Sequence, residues 1–138
     1  MGLTEELNDN LVEFFDRFAS WENSVIQQSS LTVAGAHAIE KLGHNGSMSM
    51  KDLSKSLGVT AGTITVTVDR LEKGGYAVRD RSENDRRSYI IRLTEKGKEA
   101  FSDHHSHHMS LSDEIASILS EDEVKNFVGI LEKINKTI

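Results

Sequence analysis

Between Met50 and Thr94 two short helix patterns, parted by a glycine, run without a break into two apolar-rich segments that flank a charged loop. Met50-Lys-Asp-Leu-Ser-Lys-Ser-Leu57 sets Leu53 and Leu57 four residues apart, Gly58 supplies a residue suited to a left-handed turn, and Thr60 offers a hydroxyl to cap the next helix. Ile64, Val68 and Leu71 then share one helical face. Tyr76 to Arg81 and Ser88 to Leu93 read as two short strands joined by Ser82-Glu-Asn-Asp-Arg-Arg87. A helix-turn-helix followed by a hairpin wing is a winged helix-turn-helix. The expected fold class is therefore mainly α with a small β-hairpin wing (α+β).

The second helix of this unit has the outer surface of a DNA reader. At about 100° per residue, an inner face marked by Ile64 turns Gly62, Thr63, Val66, Asp69, Arg70 and Lys73 outward and leaves Thr65 and Thr67 at the margins. Small residues at its start let a helix approach the major groove. Hydroxyls bond base edges or phosphates there, and Val66 suits a thymine methyl. Arginines in the loop suit a narrow minor groove, whose negative potential favours a weakly hydrated guanidinium. Thr60, Gly62, Thr63, Thr65, Val66, Thr67, Arg70, Lys73, Asp85, Arg86 and Arg87 are the candidate DNA-binding residues, and double-stranded DNA is the expected partner.

Four segments in order, Val59-Thr-Ala-Gly-Thr-Ile-Thr65, Leu71-Glu-Lys-Gly-Gly-Tyr76, Asp85-Arg-Arg87 and Leu93-Thr-Glu-Lys-Gly97, resemble successive signatures of the MarR family of bacterial and archaeal transcriptional regulators. The resemblance implies that Asp85 braces the wing, that Arg87 is the minor-groove residue and that Arg86 is its more variable neighbour. It also implies a homodimer.

Charge supports the same conclusion independently. Lys51 to Lys98 holds 11 Lys+Arg against 7 Asp+Glu, a balance of +4, while the remainder sums to −10 within a total of −6. A basic module inside an acidic frame concentrates attraction for a polyanion where the reading elements lie. The length of 138 residues fits one domain or one intertwined subunit. Zero cysteines exclude disulfides and thiol-based sensing, and no run approaches the roughly 20 apolar residues of a membrane span. The N-terminal Glu5, Glu6 and Asp9 do not resemble a signal peptide, so a cytoplasmic location is expected, with no membrane partner.

Both ends carry heptad-like apolar spacing. Leu7, Leu11, Phe14, Phe18, Trp21 and Val25 advance by steps of three and four. After a capping box at Ser120 and Glu123, Val124, Phe127, Leu131, Ile134 and Ile138 do the same. Residues 1–30 and 99–138 are thus expected to form dimerisation helices around a DNA-binding module at 31–98, with an intrachain bundle as the alternative. Leu31 to Leu42 reads as a short entering helix, Gly43-His-Asn-Gly46 as a loop, and Thr94 as the cap of a long helix over about Glu95 to Leu119. A two-fold dimer sets two recognition helices about one DNA turn apart and demands a pseudo-palindromic operator.

Asp103-His-His-Ser-His-His108 packs four histidines into five residues of that long helix. His104 and His108, or His104 and His107, lie on one face and can converge on one zinc ion, which needs further ligands from elsewhere; His37 and Glu22 are the candidates. Zinc-responsive MarR relatives are similar in drawing a glutamate from the first helix, a histidine from the second and an i, i+4 histidine pair from the fifth. That resemblance implies Glu22, His37, His104 and His108 as a metal site. The bland alternative is a polar helix face. A small organic or acyl effector is equally open, in a pocket lined by Phe14, Phe18, Trp21, His37 and Phe101, although an aromatic stripe at helical spacing also serves as core. No cofactor is required, and zinc enters only as an effector.

The resulting expectation is a ligand-responsive, DNA-binding repressor. Its alternative is a zinc-binding protein whose winged helix is a protein interaction platform. An enzyme is disfavoured, because the chain has no cysteine, serine elbow, phosphate-binding glycine loop or His-Glu-x-x-His motif.

Overall fold

The computed structural model describes residues 2–82 and 88–138. Its elements run α1 (Leu3–Ile26), α2 (Val33–Asn45), β1 (Met48–Ser49), α3 (Met50–Leu57), α4 (Ala61–Lys73), β2 (Ala77–Arg81), β3 (Tyr89–Leu93), α5 (Glu95–Ser117) and α6 (Glu121–Thr137). The chain divides into two compact units, one ending at His104 and the other spanning His105–Ile138. No helix among the described residues is long and apolar enough to cross a membrane.

The first unit closes on a core contributed by α2, α3, α4 and the sheet. Ile39, Leu42, Leu53, Ile64, Val68, Leu71, Ala77, Ile91 and Leu93 are all buried. Each large side chain in it contributes about 1.5–3 kcal/mol by leaving water. Caps define where the helices begin. Ser49 accepts from the Asp52 amide at 3.0 Å, Thr60 from Thr63 at 3.2 Å and Thr94 from Gly97 at 3.1 Å. Gly58, at φ 66°, takes the left-handed turn between α3 and α4 that a side chain would resist.

The sheet is antiparallel in the order β1-β3-β2. Ala77 faces Leu93, Arg79 faces Ile91 and Arg81 faces Tyr89, so the buried Ala77, Ile91 and Leu93 lie on the core side. Strand β1 pairs Met48 with Ile91 and Ser49 with Ile90; two residues carry no periodicity, and sequence alone does not reveal it. The expected loop at Gly43–Gly46 is instead the last turn of α2, which runs on to Asn45. Gly43 continues the helix because the Phe101 ring packs on its bare Cα, and the stop comes at Gly46, whose φ is 78°.

In the second unit, α6 begins with the expected capping box. Ser120 accepts from the Glu123 amide at 3.1 Å, and Glu123 accepts from the Ser120 amide at 3.0 Å. Phe127, Leu131 and Ile134 lie exposed along α6. On α1, within the first unit, Leu7, Leu11 and Phe14 are likewise exposed.

Candidate nucleic-acid interface

Helix α4 is fixed to the core by Ile64, Val68 and Leu71 and turns Gly62, Thr63, Thr65, Val66, Asp69, Arg70 and Lys73 to solvent. Space is open around Gly62: among the described residues a Cβ there would meet only Thr60 Oγ1, at 3.9 Å, so none of them requires the glycine. What its smallness leaves free is the outer surface. Val66 is 51% exposed, a branched apolar side chain on an otherwise polar face.

Hydroxyls along α4 are partly committed. Thr60 caps the helix and also donates to Thr63 Oγ1 at 3.1 Å, while Thr65 donates to the Ala61 carbonyl at 2.8 Å. Thr67 corrects the sequence expectation. It is 7% exposed and donates to the Thr63 carbonyl at 3.0 Å, because a residue three past Ile64 and one before Val68 lies inside the apolar arc. Its hydroxyl is therefore not part of the outer face.

Strand β2 contributes a residue that sequence reasoning missed. Arg79 donates to Asp69 Oδ1, and its Nη1 lies 2.8 Å from Glu72 Oε1. Period two along β2 places Arg79 on the same face as the buried Ala77, one step further out, where the two carboxylates of α4 meet it. That alternation, read against Asp69 and Glu72 three apart on a helix, was the available signal. Arg92 of β3 pairs with Asp80 at 2.5 Å, so the hairpin's acidic residue in the described part is also compensated. Arg70 and Lys73 remain as the cations of the α4 surface. Asp85, Arg86 and Arg87 lie outside the described residues.

The other candidate residues fall along α1, α2 and α5. His37 Nε2 lies 2.7 Å from Glu22 Oε1, and the nearest ligand atoms of Glu22 and His104 are within 4.8 Å of each other. His104 is buried, with Nε2 3.9 Å from Glu40 Oε1, an oxygen that has no hydrogen-bond partner among the described residues. The other Glu40 oxygen is 3.0 Å from His44 Nε2. The first unit thus alternates imidazole and carboxylate from His37 to His44, a donor set of N and O atoms suited to zinc. His108 stands one turn beyond His104 on α5, in the second unit. Of the expected effector residues, Phe14, Phe18 and Trp21 form a stripe with ring centroids 6.0 and 5.6 Å apart. Phe101 packs on Gly43 and lies edge-on to His44 at 5.1 Å.

Known proteins agree with this geometry. The MarR family model matches residues 31–89. The chain is 30% identical over 112 residues to the HTH-type transcriptional regulator MhqR of Bacillus subtilis (strain 168), covering 81% of this chain and 77% of MhqR. It is 27% identical to the HTH-type transcriptional regulator BilQ of Clostridium symbiosum (strain WAL-14163), covering 90% and 86% of the two chains. Streptococcus pneumoniae FabT, in its crystal structure in complex with DNA, superposes with a TM-score of 0.88 at 28% identity, over 96% of this chain and 95% of FabT. With the helix-turn-helix, the hairpin and these relatives in agreement, the chain belongs to the MarR family of DNA-binding transcriptional regulators.

Proposed function

We propose that the protein is a homodimeric, ligand-responsive repressor that reads a pseudo-palindromic operator with α4 in the major groove and the wing in the minor groove. The observation that carries this reading is the outer face of α4, small and open at Gly62 and Thr63, apolar at Val66 and cationic at Arg70 and Lys73. Small residues admit the helix, Val66 meets a thymine methyl, and the two cations take backbone phosphates. Arg86 and Arg87 supply the minor-groove contact, with Asp85 bracing the wing. A second copy of the chain covers the apolar residues exposed on α1 and α6, since subunits of this size rarely leave such faces to water. The testing experiment is a titration of operator fragments at several salt concentrations. Sequence-selective binding that weakens steeply with salt supports the reading, and equal affinity for unrelated duplexes refutes it.

Zinc as effector is a second reading, supported by the pairing of Glu22 with His37 and the nearness of Glu22 to His104. His108 completes the proposed donor set. Metal analysis of the purified protein, coupled to operator titration with and without zinc, tests it.

A further inference from the structure

We propose that Lys96 is a positioning residue for operator binding, which clamps the C-terminal end of α4 to the first turn of α5 and so fixes where Lys73 meets the DNA backbone. The role rests on the docking of α4 proposed above.

Burial does not hold this end of the helix. Leu71 is the last core residue of α4, and no residue from Glu72 to Tyr76 is buried before the chain re-enters the core at Ala77. Gly74 caps the helix and Gly75 follows it at φ 82°. The Tyr76 amide closes the turn on α4 by donating to the Leu71 carbonyl at 2.8 Å. Two successive glycines have more backbone freedom than any other pair, so the position of the turn depends on what grips it.

Three successive carbonyls of the turn are gripped by Thr94 and Lys96. Lys96 Nζ donates to the Gly74 carbonyl at 2.7 Å, Thr94 Oγ1 to the Gly75 carbonyl at 2.6 Å, and the Thr94 amide to the Tyr76 carbonyl at 3.0 Å. Thr94 belongs to the fold, since its hydroxyl also caps α5 by accepting from the Gly97 amide. Lys96 is exposed and reaches across with a flexible side chain. Its ammonium also lies 4.5 Å over the Tyr76 ring, and the hydroxyl of that ring shares a hydrogen bond with Ser30 at 2.7 Å.

A cation against a carbonyl at the negative end of a helix dipole, and over an aromatic face, is favoured on both counts. Removing it leaves the core and both Thr94 bonds in place, so the fold survives. The Gly74 carbonyl is released, and the end of α4 can then shift against its anchored part. Lys73 immediately precedes Gly74, whereas Thr63 and Val66 lie along the stretch that Ile64 and Val68 hold to the core. Lys96 thus governs the backbone contact and leaves base selection alone.

The experiment compares Lys96→Met and Lys96→Arg in the full chain. Amide hydrogen exchange of the free protein reports the clamp, and fluorescence anisotropy of operator fragments reports affinity. Lys96→Met is expected to speed exchange at Gly74, Gly75 and Tyr76 while Val68 stays slow, and to weaken operator binding about three- to tenfold with the ranking of operator variants unchanged. Lys96→Arg should restore both, because a guanidinium also donates to a carbonyl and stacks on a ring. In a Lys73→Met background, Lys96→Met should have little further effect. Equal losses with and without Lys73 overturn the positioning role and give Lys96 a phosphate contact of its own. Unchanged exchange at the turn overturns the clamp, and undiminished operator affinity of Lys96→Met, or a loss that merely follows global unfolding, overturns its part in binding. A wild-type chain that binds no operator overturns the regulatory function itself, and hydrogen exchange then still decides the clamp.

Discussion

Arg79 of β2 is ion-paired with Asp69 of α4, and the same guanidinium reaches Glu72 one turn further along that helix. The first strand of the wing is thereby strapped to the C-terminal half of the helix assigned to the major groove. The strap also neutralises two carboxylates that would otherwise repel the DNA backbone.

Arg79→Met keeps much of the side-chain volume and removes both pairs. Because Asp69 is well exposed and Glu72 partly so, the cost in folding stability is small, about 1 kcal/mol. Operator affinity should fall further, by about tenfold at low salt, and the difference should narrow as salt screens the released carboxylates. Urea unfolding together with anisotropy titrations at two salt concentrations checks this. Undiminished operator affinity at low salt would show that the strap has no part in DNA binding.

In the wing itself, Arg87→Ala should cost about 1–3 kcal/mol of operator affinity, the size of one lost specific groove contact. The proposed dimer should be unaffected. The operator titration measures the first expectation and sedimentation analysis the second; Arg87 leaves the proposed interface if the affinity does not move.

The parts of the fold that were legible in the sequence are those whose cause is local. Ile64, Val68 and Leu71 mark their own face by spacing, Gly58 marks its own turn, and Ser120 with Glu123 caps its own helix. What escaped depends on partners far along the chain. Strand β1 exists only because Met48 finds Ile91, and α2 continues through Gly43 only because Phe101 covers it. Arg79 has no meaning until β2 is laid beside α4. Thr67 was misjudged by a few tens of degrees, enough to carry a hydroxyl from the margin of a helix into its core-facing arc.

Two glycines distinguish tight packing against side chain from tight packing against backbone. A Cβ at Gly43 would collide with the Phe101 ring, which can turn away, whereas a Cβ at Gly97 would collide with the Tyr76 carbonyl oxygen. Gly43→Ala should therefore destabilise the chain by about 1–3 kcal/mol, and Gly97→Ala by at least as much. Chemical denaturation ranks the pair, and a Gly97→Ala protein as stable as wild type would refute the argument.

Leu131 is 42% exposed, so an aspartate there meets water unless the proposed second copy covers it. Leu131→Asp should leave the subunit folded by circular dichroism yet abolish dimers in sedimentation, because the interface would bury an unpaired charge. Operator affinity should fall with dimer population, since each half-site contact is then made separately. A folded, fully dimeric Leu131→Asp protein would remove α6 from the interface.

Glu22 offers the cleanest test of zinc, because Glu22→Gln preserves the shape of the side chain and a hydrogen-bonding atom for His37 while removing the carboxylate charge that a cation requires. If Glu22 is a ligand, the variant should hold zinc at least about tenfold more weakly and should lose any zinc effect on operator affinity. Its thermal unfolding without metal should stay close to that of wild type. If the Glu22 carboxylate serves only to hold His37, the opposite pattern is expected, a lowered melting temperature with the zinc response intact. Competition with a chromogenic chelator gives the affinity, and anisotropy with and without zinc gives the response. A wild-type protein that takes up no zinc at micromolar free metal, or a Glu22→Gln protein that responds as wild type does, would leave the imidazoles and carboxylates from His37 to His44 as a polar seam with no metal role.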